Sequence, residues 1–399
     1  MKNLILKNGI ILTPFVELKD RVLFLKNGRI YKLISNAEYL NYSKDYLTNY
    51  KIIDLKGNYI SPGFIDIHIH GSNGVDAVKD DIGPMADFLV KYGVTGFLPT
   101  LITAEFTKMI NACKKISYFI KDQRNGSKVL GINAEGPYLS KKYGAQKPEL
   151  VKKPEFKEYS KLIEACNGNL KIMTVAPELE NAYELIKYLR QNDVVVSIGH
   201  TDIKFEKLHE ALDLGIGLVT HIFNAMGGVL VAEEGVKSVS IQEELLACDN
   251  LMSEVICDKN AVHVNPTLMK VLVKCKGINN IILITDSMSM NGLSYGKHYL
   301  QDGRAAITKK DEDVVRLENG GLAGSIMTIN NAIKNIMLHA NLSLKDAIIM
   351  ATYNPAKILK LSNKKGAIKE GMDADITVFD NLMDIKITII EGEIKYNNL

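Results

Sequence analysis

Six side chains that can bind a metal or transfer a proton each follow an apolar, β-branched run of the chain. They are His68 and His70 in PGFIDIHIHG, Glu135 in NAEGP, His200 in SIGHTD, His221 in THIFNAM and Asp286 in LITDSMSM. Imidazole and carboxylate are ligands for zinc, iron and manganese, and a glutamate shared by four histidines can hold two cations about 3.5–4 Å apart. Such cations make hydroxide available near neutral pH. Asp286 could accept its proton and pass it to a leaving amine, so the expected chemistry is hydrolysis of an amide or similar bond.

Each of these residues also has a structural interpretation when it is considered alone. A single buried histidine is more often a hydrogen-bonded core residue than a ligand, and Asp286 could be the N-cap of a helix. Glu135 could be an ordinary surface acid, although it lies between an apolar run and Gly136. His68 and His70, however, alternate on one face of a strand. Their occurrence together with the other residues at the ends of apolar runs favours a metal site.

The elements that must position these side chains are short apolar runs separated by amphipathic helical patterns. The runs are YISPGFIDIHIH, GVTGFLPT, KVLGINAE, LKIMTVAPE, VVVSIGH, IGLVTH, MSEVICD and NIILITD. Eight strand–helix units predict an α/β fold with a (β/α)8 TIM-type barrel, whose active site forms at the C-terminal ends of the strands. A doubly wound open sheet is the alternative, but the chain has neither GxGxxG nor GxxxxGK[ST] to support a nucleotide-binding fold.

The two ends of the chain differ from this alternating middle. Residues 1–58 and 360–399 are rich in strand patterns and predict a small β-sandwich domain built from both termini, whereas residues 59–359 form the barrel. Asn8-Gly9 and Asn27-Gly28, each flanked by apolar residues, predict hairpins, as does Glu391-Gly392. The polar stretch 293–325 is interpreted as a long loop over the barrel mouth.

Composition excludes several classes of function. The chain has 399 residues and a net charge of +3, which is too small to indicate a nucleic-acid or membrane partner. Its five cysteines form no CxxC pair, which argues against a disulfide framework and suits a reducing compartment. The N-terminus does not read as a signal peptide, and no apolar run reaches the roughly 18 residues of a membrane span. We therefore expect a cytoplasmic protein.

The motifs resemble those of the amidohydrolase superfamily and, within it, of the N-acetylglucosamine-6-phosphate deacetylase family. The resemblance covers almost the whole chain and is carried by PGFIDIHIHG, GVTGFLPT, EGPYLSKKYGAQ, VAPE, GHTD, THIFNAM, ILITDSMSMNGL, LAGS and NPAKIL followed by KGAIKEGMDADITVFD. It implies a metal-dependent hydrolase of amino-sugar catabolism. The implied reaction converts N-acetylglucosamine 6-phosphate to glucosamine 6-phosphate and acetate.

The resemblance also implies a role for each candidate residue. The metal ligands are His68, His70, Glu135, His200, His221 and Asp286, of which the histidine pair at 68 and 70 builds a second metal site. Asp286 matches the catalytic general acid/base, and His263 matches a catalytic histidine that contacts the substrate and polarises the acetyl carbonyl. The sugar pocket is lined by Ala145, Gln146, Asn224, Ala225, His263, Leu322, Ala323 and Gly324. The implied cofactor is one or two divalent ions of zinc, iron or manganese, and the implied assembly is a homodimer.

Two segments depart from the family pattern. Where the family has Arg-Glu-Pro-Gly after NAM, this chain has AEEG, with Ala232 in place of the arginine that reaches the sugar phosphate. Arginine is the preferred phosphate clamp, so either another cation replaces it or the substrate lacks the usual 6-phosphate. The candidate replacements are Lys237, Lys141 and Lys142. The segment CDKNAVH is two residues longer than the family's ADGxH, which leaves the register of His263 open.

Other interpretations remain at this point. A deacetylase of a different N-acetylhexosamine, a cyclic amidase or an N-acyl-amino-acid deacylase would use similar residues. Many cyclic amidases bridge their metals with a modified lysine on the fourth strand, but Lys171 stands at the start of that run here and Glu135 is available instead. A non-catalytic scaffold that binds sugars is disfavoured because no expected metal ligand is missing.

Overall fold

The computed structural model describes residues 3–227, 234–235 and 239–399. Its strands are β1 (Asn3–Leu12), β2 (Glu17–Lys26), β3 (Arg29–Ser35), β4 (Tyr50–Asp54), β5 (Tyr59–Pro62), β6 (Phe64–Ile69), β7 (Gly71–Ser72), β8 (Val75–Asp76), β9 (Val94–Ile102), β10 (Lys128–Val129), β11 (Ile132–Glu135), β12 (Leu170–Val175), β13 (Val195–Ile198), β14 (Leu218–Val219), β15 (Met252–Ile256), β16 (Ile281–Ile284), β17 (Gly296–Tyr299), β18 (Ala305–Thr308), β19 (Val314–Leu317), β20 (Leu322–Ser325), β21 (Ile376–Phe379), β22 (Ile385–Ile390) and β23 (Glu393–Asn397). Its α-helices are α1 (Asn36–Tyr39), α2 (Lys44–Leu47), α3 (Gly83–Leu89), α4 (Phe106–Asp122), α5 (Phe156–Ala165), α6 (Ala182–Gln191), α7 (Phe205–Asp213), α8 (Ile241–Ala247), α9 (Pro266–Lys276), α10 (Ile329–Ala340), α11 (Leu344–Ala351) and α12 (Tyr353–Ile358).

The predicted barrel is confirmed. Strand β6 pairs in parallel with β9, β9 pairs with β10 and β11, and β11 to β16 then pair in chain order. The third barrel strand consists of two pieces, β10 and β11, separated by Leu130 and Gly131. Backbone hydrogen bonds close the barrel between β6 and β16 at the C-terminal ends of these strands. The Asp286 N–H donates to the His68 carbonyl at 2.9 Å, and the His70 N–H donates to the Ser287 carbonyl at 2.9 Å.

The helices pack against the barrel through the faces that their sequences indicate. In α6, Ala182, Leu185, Ile186 and Leu189 are buried, at the i, i+3, i+4, i+7 spacing of one helical face. The barrel strands bury both of their faces, as expected for a parallel sheet covered by helices. The scaffold that carries the strand ends is therefore held by apolar packing on its inside and its outside.

Strands from both chain ends form a second sheet in the order β23-β22-β21-β5-β1-β2-β3, with β4 also paired to β1. The two ends meet where β5 pairs in parallel with β1 and antiparallel with β21. The predicted β-sandwich is thus one continuous hydrogen-bonded sheet, and strands from both ends share one apolar core that includes Leu6, Leu23, Ile376 and Ile387. Strand β5 (Tyr59–Pro62) belongs to this sheet, whereas the domain boundaries at 58/59 and 359/360 stay predictions.

Two of the three hairpin predictions hold. Asn27-Gly28 joins β2 to β3 and Glu391-Gly392 joins β22 to β23, and all four residues have positive φ, as type I′ turns require. The prediction for Asn8-Gly9 is wrong, because both residues lie inside β1, which shifts register around Gly9. A Cβ at Gly9 would lie 2.9 Å from Ile60 Cδ1, so the glycine permits a close approach to β5.

The stretch 293–325 is not the loop that its polar composition predicts. Its residues form an antiparallel sheet in the order β17-β18-β19-β20. Each strand has only four residues, and glycine and charged residues separate them, which explains why the pattern is hard to recognise. Ala306, Val315 and Ala323 from this sheet pack with Met288 and Met290, which follow the last barrel strand.

No helix among the described residues combines the length and the apolar composition needed to cross a lipid bilayer.

Candidate metal centre and active site

The six residues singled out in the sequence converge at one end of the barrel. His68 lies within β6 and His70 directly follows it, Glu135 is the last residue of β11, and His200, His221 and Asp286 each lie two residues beyond the ends of β13, β14 and β16. All six are buried. Candidate ligand atoms within 4.8 Å of one another form two groups that share Glu135: His68, His70 and Glu135, and Glu135, His200 and His221.

The chain turns sharply where three of these side chains are presented. His200, His221 and Asp286 have φ values of 48°, 27° and 48°, a left-handed region that L-residues other than glycine rarely adopt. Such a conformation costs roughly 1–3 kcal/mol at each residue and persists only where the surrounding structure enforces it. Backbone strain is therefore concentrated at the strand ends that aim these groups toward the barrel axis.

Glu135 lies at the centre of the cluster. Its Oε1 is 2.8 Å from His200 Nε2, 2.9 Å from His221 Nε2 and 3.6 Å from His68 Nε2. Its Oε2 is 3.4 Å from His70 Nε2 and accepts a hydrogen bond from Gln146 Nε2 at 3.0 Å. One carboxylate thus reaches both histidine pairs, the arrangement that a bridging ligand requires.

The Nδ1 atoms of three histidines already have acceptors on the protein. His70 Nδ1 is 3.0 Å from the Thr100 carbonyl oxygen, His200 Nδ1 is 3.2 Å from the Tyr143 carbonyl oxygen, and His68 Nδ1 is 3.0 Å from Glu254 Oε2. Each Nδ1–H donates there, which places the lone pair on Nε2.

Those Nε2 atoms face one another. His200 Nε2 and His221 Nε2 are 3.1 Å apart, and His68 Nε2 and His70 Nε2 are 3.3 Å apart. Two imidazole lone pairs at this separation repel unless a cation or a proton lies between them. The donor set of imidazoles and one carboxylate fits zinc, iron or manganese, so the residues present suit a bound divalent metal.

The electrostatics of the cluster favour positive charge at its centre. Burial opposes protonation of His68, His70 and His221, yet the surrounding carboxylates outweigh it and raise the pKa of each ring, that of His221 to about 9. Burial favours the neutral forms of Glu135 and Asp286, but the adjacent imidazoles lower the pKa of both carboxyls. Positive charge, carried by protons or by a metal, is thus stabilised between these groups.

A cavity of about 380 Å³ opens above the cluster. All the residues predicted to line a sugar pocket line this cavity: Ala145, Gln146, Asn224, Ala225, His263, Leu322, Ala323 and Gly324. Asp286 lines it as well, so the predicted proton-transfer group faces the same space.

His263 is held at the wall of the cavity by a residue that the sequence did not single out. Asp258 Oδ2 accepts hydrogen bonds from the His263 backbone N–H at 2.8 Å and from its Nδ1 at 3.1 Å. His263 Nε2 is buried and has no hydrogen-bond partner among the described residues. Despite the longer segment before it, His263 lines the cavity.

Glu254 is a second residue that the sequence analysis missed. It lies in the middle of β15, within the run MSEVICD, and contacts His68. The sequence signal for it was an acidic residue in the middle of an otherwise apolar barrel strand. An acid in a buried strand is rarely left unpaired, so its position indicated a partner inside the barrel.

No lysine or arginine lines the cavity among the residues that the structure describes. Of the candidate phosphate-binding cations, Lys142 pairs with Asp202, and Lys141 is exposed. Ala232 and Lys237 lie outside the described residues. Arg304 donates a hydrogen bond to the Ala145 carbonyl at 2.6 Å and pairs with Asp302, so it supports the cavity wall without lining it.

The family model described as "Amidohydrolase family" matches residues 59–395. The chain belongs to the amidohydrolase family. Among similar proteins of this family, the N-acetylglucosamine-6-phosphate deacetylase of Lysinibacillus sphaericus is 34% identical over 343 residues, which cover 85% of this chain and 86% of the relative. That of Bacillus subtilis is 30% identical over 402 residues, 99% of this chain and 98% of the relative. The N-acetylgalactosamine-6-phosphate deacetylase of Escherichia coli O157:H7 is 31% identical over 340 residues, 84% of this chain and 87% of the relative.

Solved amidohydrolase structures share the fold over the whole chain. The N-acetylglucosamine-6-phosphate deacetylase of Thermotoga maritima superposes with a TM-score of 0.85 at 30% identity and covers 99% of this chain and 100% of its own. The Mycobacterium smegmatis enzyme, solved as a mutant in complex with N-acetyl-D-glucosamine-6-phosphate, superposes with a TM-score of 0.87 and covers 100% of both chains. At 24% identity, the latter shows the fold alone.

Proposed function

We propose that this amidohydrolase removes the N-acetyl group of N-acetylglucosamine 6-phosphate and releases acetate and glucosamine 6-phosphate. The observation that carries the proposal is the convergence of four imidazole Nε2 atoms on Glu135 at the floor of a sugar-sized cavity. The relatives of 30–34% identity that are named for this reaction support the choice of substrate.

We propose one or two divalent ions of zinc, iron or manganese as the cofactor. Glu135, His200 and His221 would hold the first ion, and His68 and His70, with Glu135 shared, would hold the second. A divalent cation in this position supplies Lewis acidity, which polarises a carbonyl and makes hydroxide available at neutral pH.

Asp286 acts as the proton carrier in this proposal. Its carboxyl, whose lowered pKa keeps it ionised at neutral pH, accepts the proton of the attacking water and returns it to the departing amine. His263 lines the cavity, where it would contact the acetyl group; to stabilise negative charge on the acetyl carbonyl oxygen, the ring needs a proton on Nε2 in addition to the one that Nδ1 donates to Asp258. Gln146 Nε2 donates a hydrogen bond to Glu135 Oε2, and Gln146 Oε1 has no hydrogen-bond partner among the described residues.

A substrate panel with detection of released acetate tests the proposal on metal-replete protein. We expect release from N-acetylglucosamine 6-phosphate that stops when the metal is removed with a chelator and returns when it is restored. The relative named for N-acetylgalactosamine 6-phosphate makes that epimer the second candidate, so both sugars are compared with and without phosphate. Absence of acetate from every sugar would refute the proposed reaction. The homodimer and the cytoplasmic location stay predictions.

A further inference from the structure

We propose that Glu254 is a positioning residue that acts on His68 and thereby sets the affinity of the His68–His70 side of the centre for the second cation. The inference deepens the proposed function and rests on it only for the presence of a divalent metal at this cluster. Glu254 does not reach the cavity, so its action passes through His68.

Glu254 is a carboxylate enclosed in the barrel interior, with 1% of its surface exposed. Its Oε2 accepts the Nδ1–H of His68 at 3.0 Å and the backbone N–H of His221 at 3.3 Å. Its Oε1 has no hydrogen-bond partner among the described residues. A buried carboxylate is costly unless it is compensated by positive charge, and the imidazole of His68 connects it to the position of the second cation.

The four histidines of the centre differ in what their Nδ1 atoms contact. His70 and His200 donate to backbone carbonyls, which are neutral acceptors, and His221 Nδ1 has no partner among the described residues. Only His68, within this set, donates to a carboxylate. A carboxylate acceptor makes the opposite ring nitrogen a stronger metal ligand and holds the ring in one orientation. His68 is therefore the ligand whose strength depends most on its outer partner.

The substitution Glu254→Gln separates charge from shape. Glutamine has the same size and can still accept the His68 Nδ1–H through its amide oxygen, but it carries no negative charge. Mutation of an outer-shell partner typically weakens metal affinity 10–100-fold. We expect a loss of this size for the second cation and a change of less than about threefold for the first, because Glu254 contacts His221 only through the backbone N–H.

The experiment titrates apo protein with Zn²⁺ in competition with a chromophoric zinc chelator and measures bound zinc by mass spectrometry. Wild-type protein is expected to bind two ions, whereas Glu254→Gln keeps the first and loses affinity for the second. Asp375→Asn is the matched control, since it also removes one buried carboxylate charge, but Asp375 pairs with Lys365, between α12 and β21, rather than with a histidine. It should bind both ions as wild type does.

A double-mutant cycle distinguishes positioning from a general loss of structure. When His68 is already alanine, Glu254→Gln should cause no further loss of zinc affinity, because the pathway from the carboxylate to the metal is gone. Unchanged second-site affinity in Glu254→Gln, equal weakening of both sites, or a single zinc ion in wild type would each overturn the inference. Wild type that binds two ions yet releases no acetate would instead refute the proposed function and leave the role of Glu254 standing.

Discussion

Asp258 organises the segment that ends in His263, and its replacement by asparagine has a calculable effect on stability. Its Oδ1 accepts hydrogen bonds from the backbone N–H groups of Asn260 at 3.2 Å and Val262 at 2.9 Å, and its Oδ2 accepts two from His263. Burial alone would favour the neutral acid, but these hydrogen bonds outweigh it and lower the pKa of the carboxyl from 3.8 to about 2.

This shift implies a stabilisation that depends on pH. One pKa unit corresponds to about 1.4 kcal/mol, so ionised Asp258 stabilises the folded state by about 2 kcal/mol at pH 7. Because the folded-state pKa is the lower one, the contribution is fully present above pH 3.8 and is lost as the pH falls toward 2. At pH 3, about half of it remains.

Urea unfolding of apo wild type and apo Asp258→Asn at pH 7, 5, 4 and 3 measures this contribution. We expect the variant to be less stable by about 2 kcal/mol at pH 7 and 5, with the difference shrinking to about half that value at pH 3. Asp313→Asn is the control of opposite sign, because burial raises the pKa of the Asp313 carboxyl. Because ionised Asp313 destabilises the folded state, the stability of wild type relative to Asp313→Asn should rise as the pH falls, whereas its stability relative to Asp258→Asn should decrease.

A difference between wild type and Asp258→Asn that stays constant from pH 7 to pH 3 would refute this reasoning. So would a difference below about 0.5 kcal/mol at pH 7, the range of an ordinary surface substitution. Either result would mean that the hydrogen bonds of Asp258 do not hold its carboxyl in the ionised form.

Three further predictions concern the active site. Asp286→Asn should lower the rate of acetate release by about 10²–10⁴ while zinc stays bound, and equal loss of zinc would identify Asp286 as chiefly a ligand. Gly144→Ala should weaken zinc binding at the Glu135–His200–His221 group by at least tenfold, because its Cβ would lie 2.3 Å from His200 Nδ1 and φ is +94°; unchanged zinc affinity would contradict this. With Ala232 in place of the family arginine, discrimination between N-acetylglucosamine with and without its 6-phosphate should be weak, and a strong preference in kcat/KM for the phosphorylated sugar would refute that expectation.

The barrel and the candidate ligands could be predicted from the sequence because the local residue pattern agrees with the fold there. His68 and His70 alternate at the end of a run that is apolar apart from Asp66, and three further candidates follow apolar runs at the same two-residue offset. Because parallel barrel strands bring their C-terminal ends to one face, recognising the strands was enough to bring the candidate ligands together.

The features that the sequence did not reveal depend on contacts between distant residues. Glu254 and its partner His68 are 186 residues apart, so nothing local to MSEVICD indicates what the carboxylate binds. Asn8-Gly9 has the composition of a tight turn, yet pairing of β1 with β4 and β5 keeps it inside a strand. The four short strands of 293–325 are stabilised by packing on Met288 and Met290 rather than by strong strand propensity.

The most direct test of the account is anomalous diffraction, at the zinc absorption edge, from crystals of zinc-replete protein. The account predicts a peak within coordination distance of Glu135, beside His200 and His221, and, where a second ion binds, another beside His68 and His70, about 3.5–4 Å from the first. Zinc bound elsewhere, or no peak within coordination distance of Glu135, would contradict it.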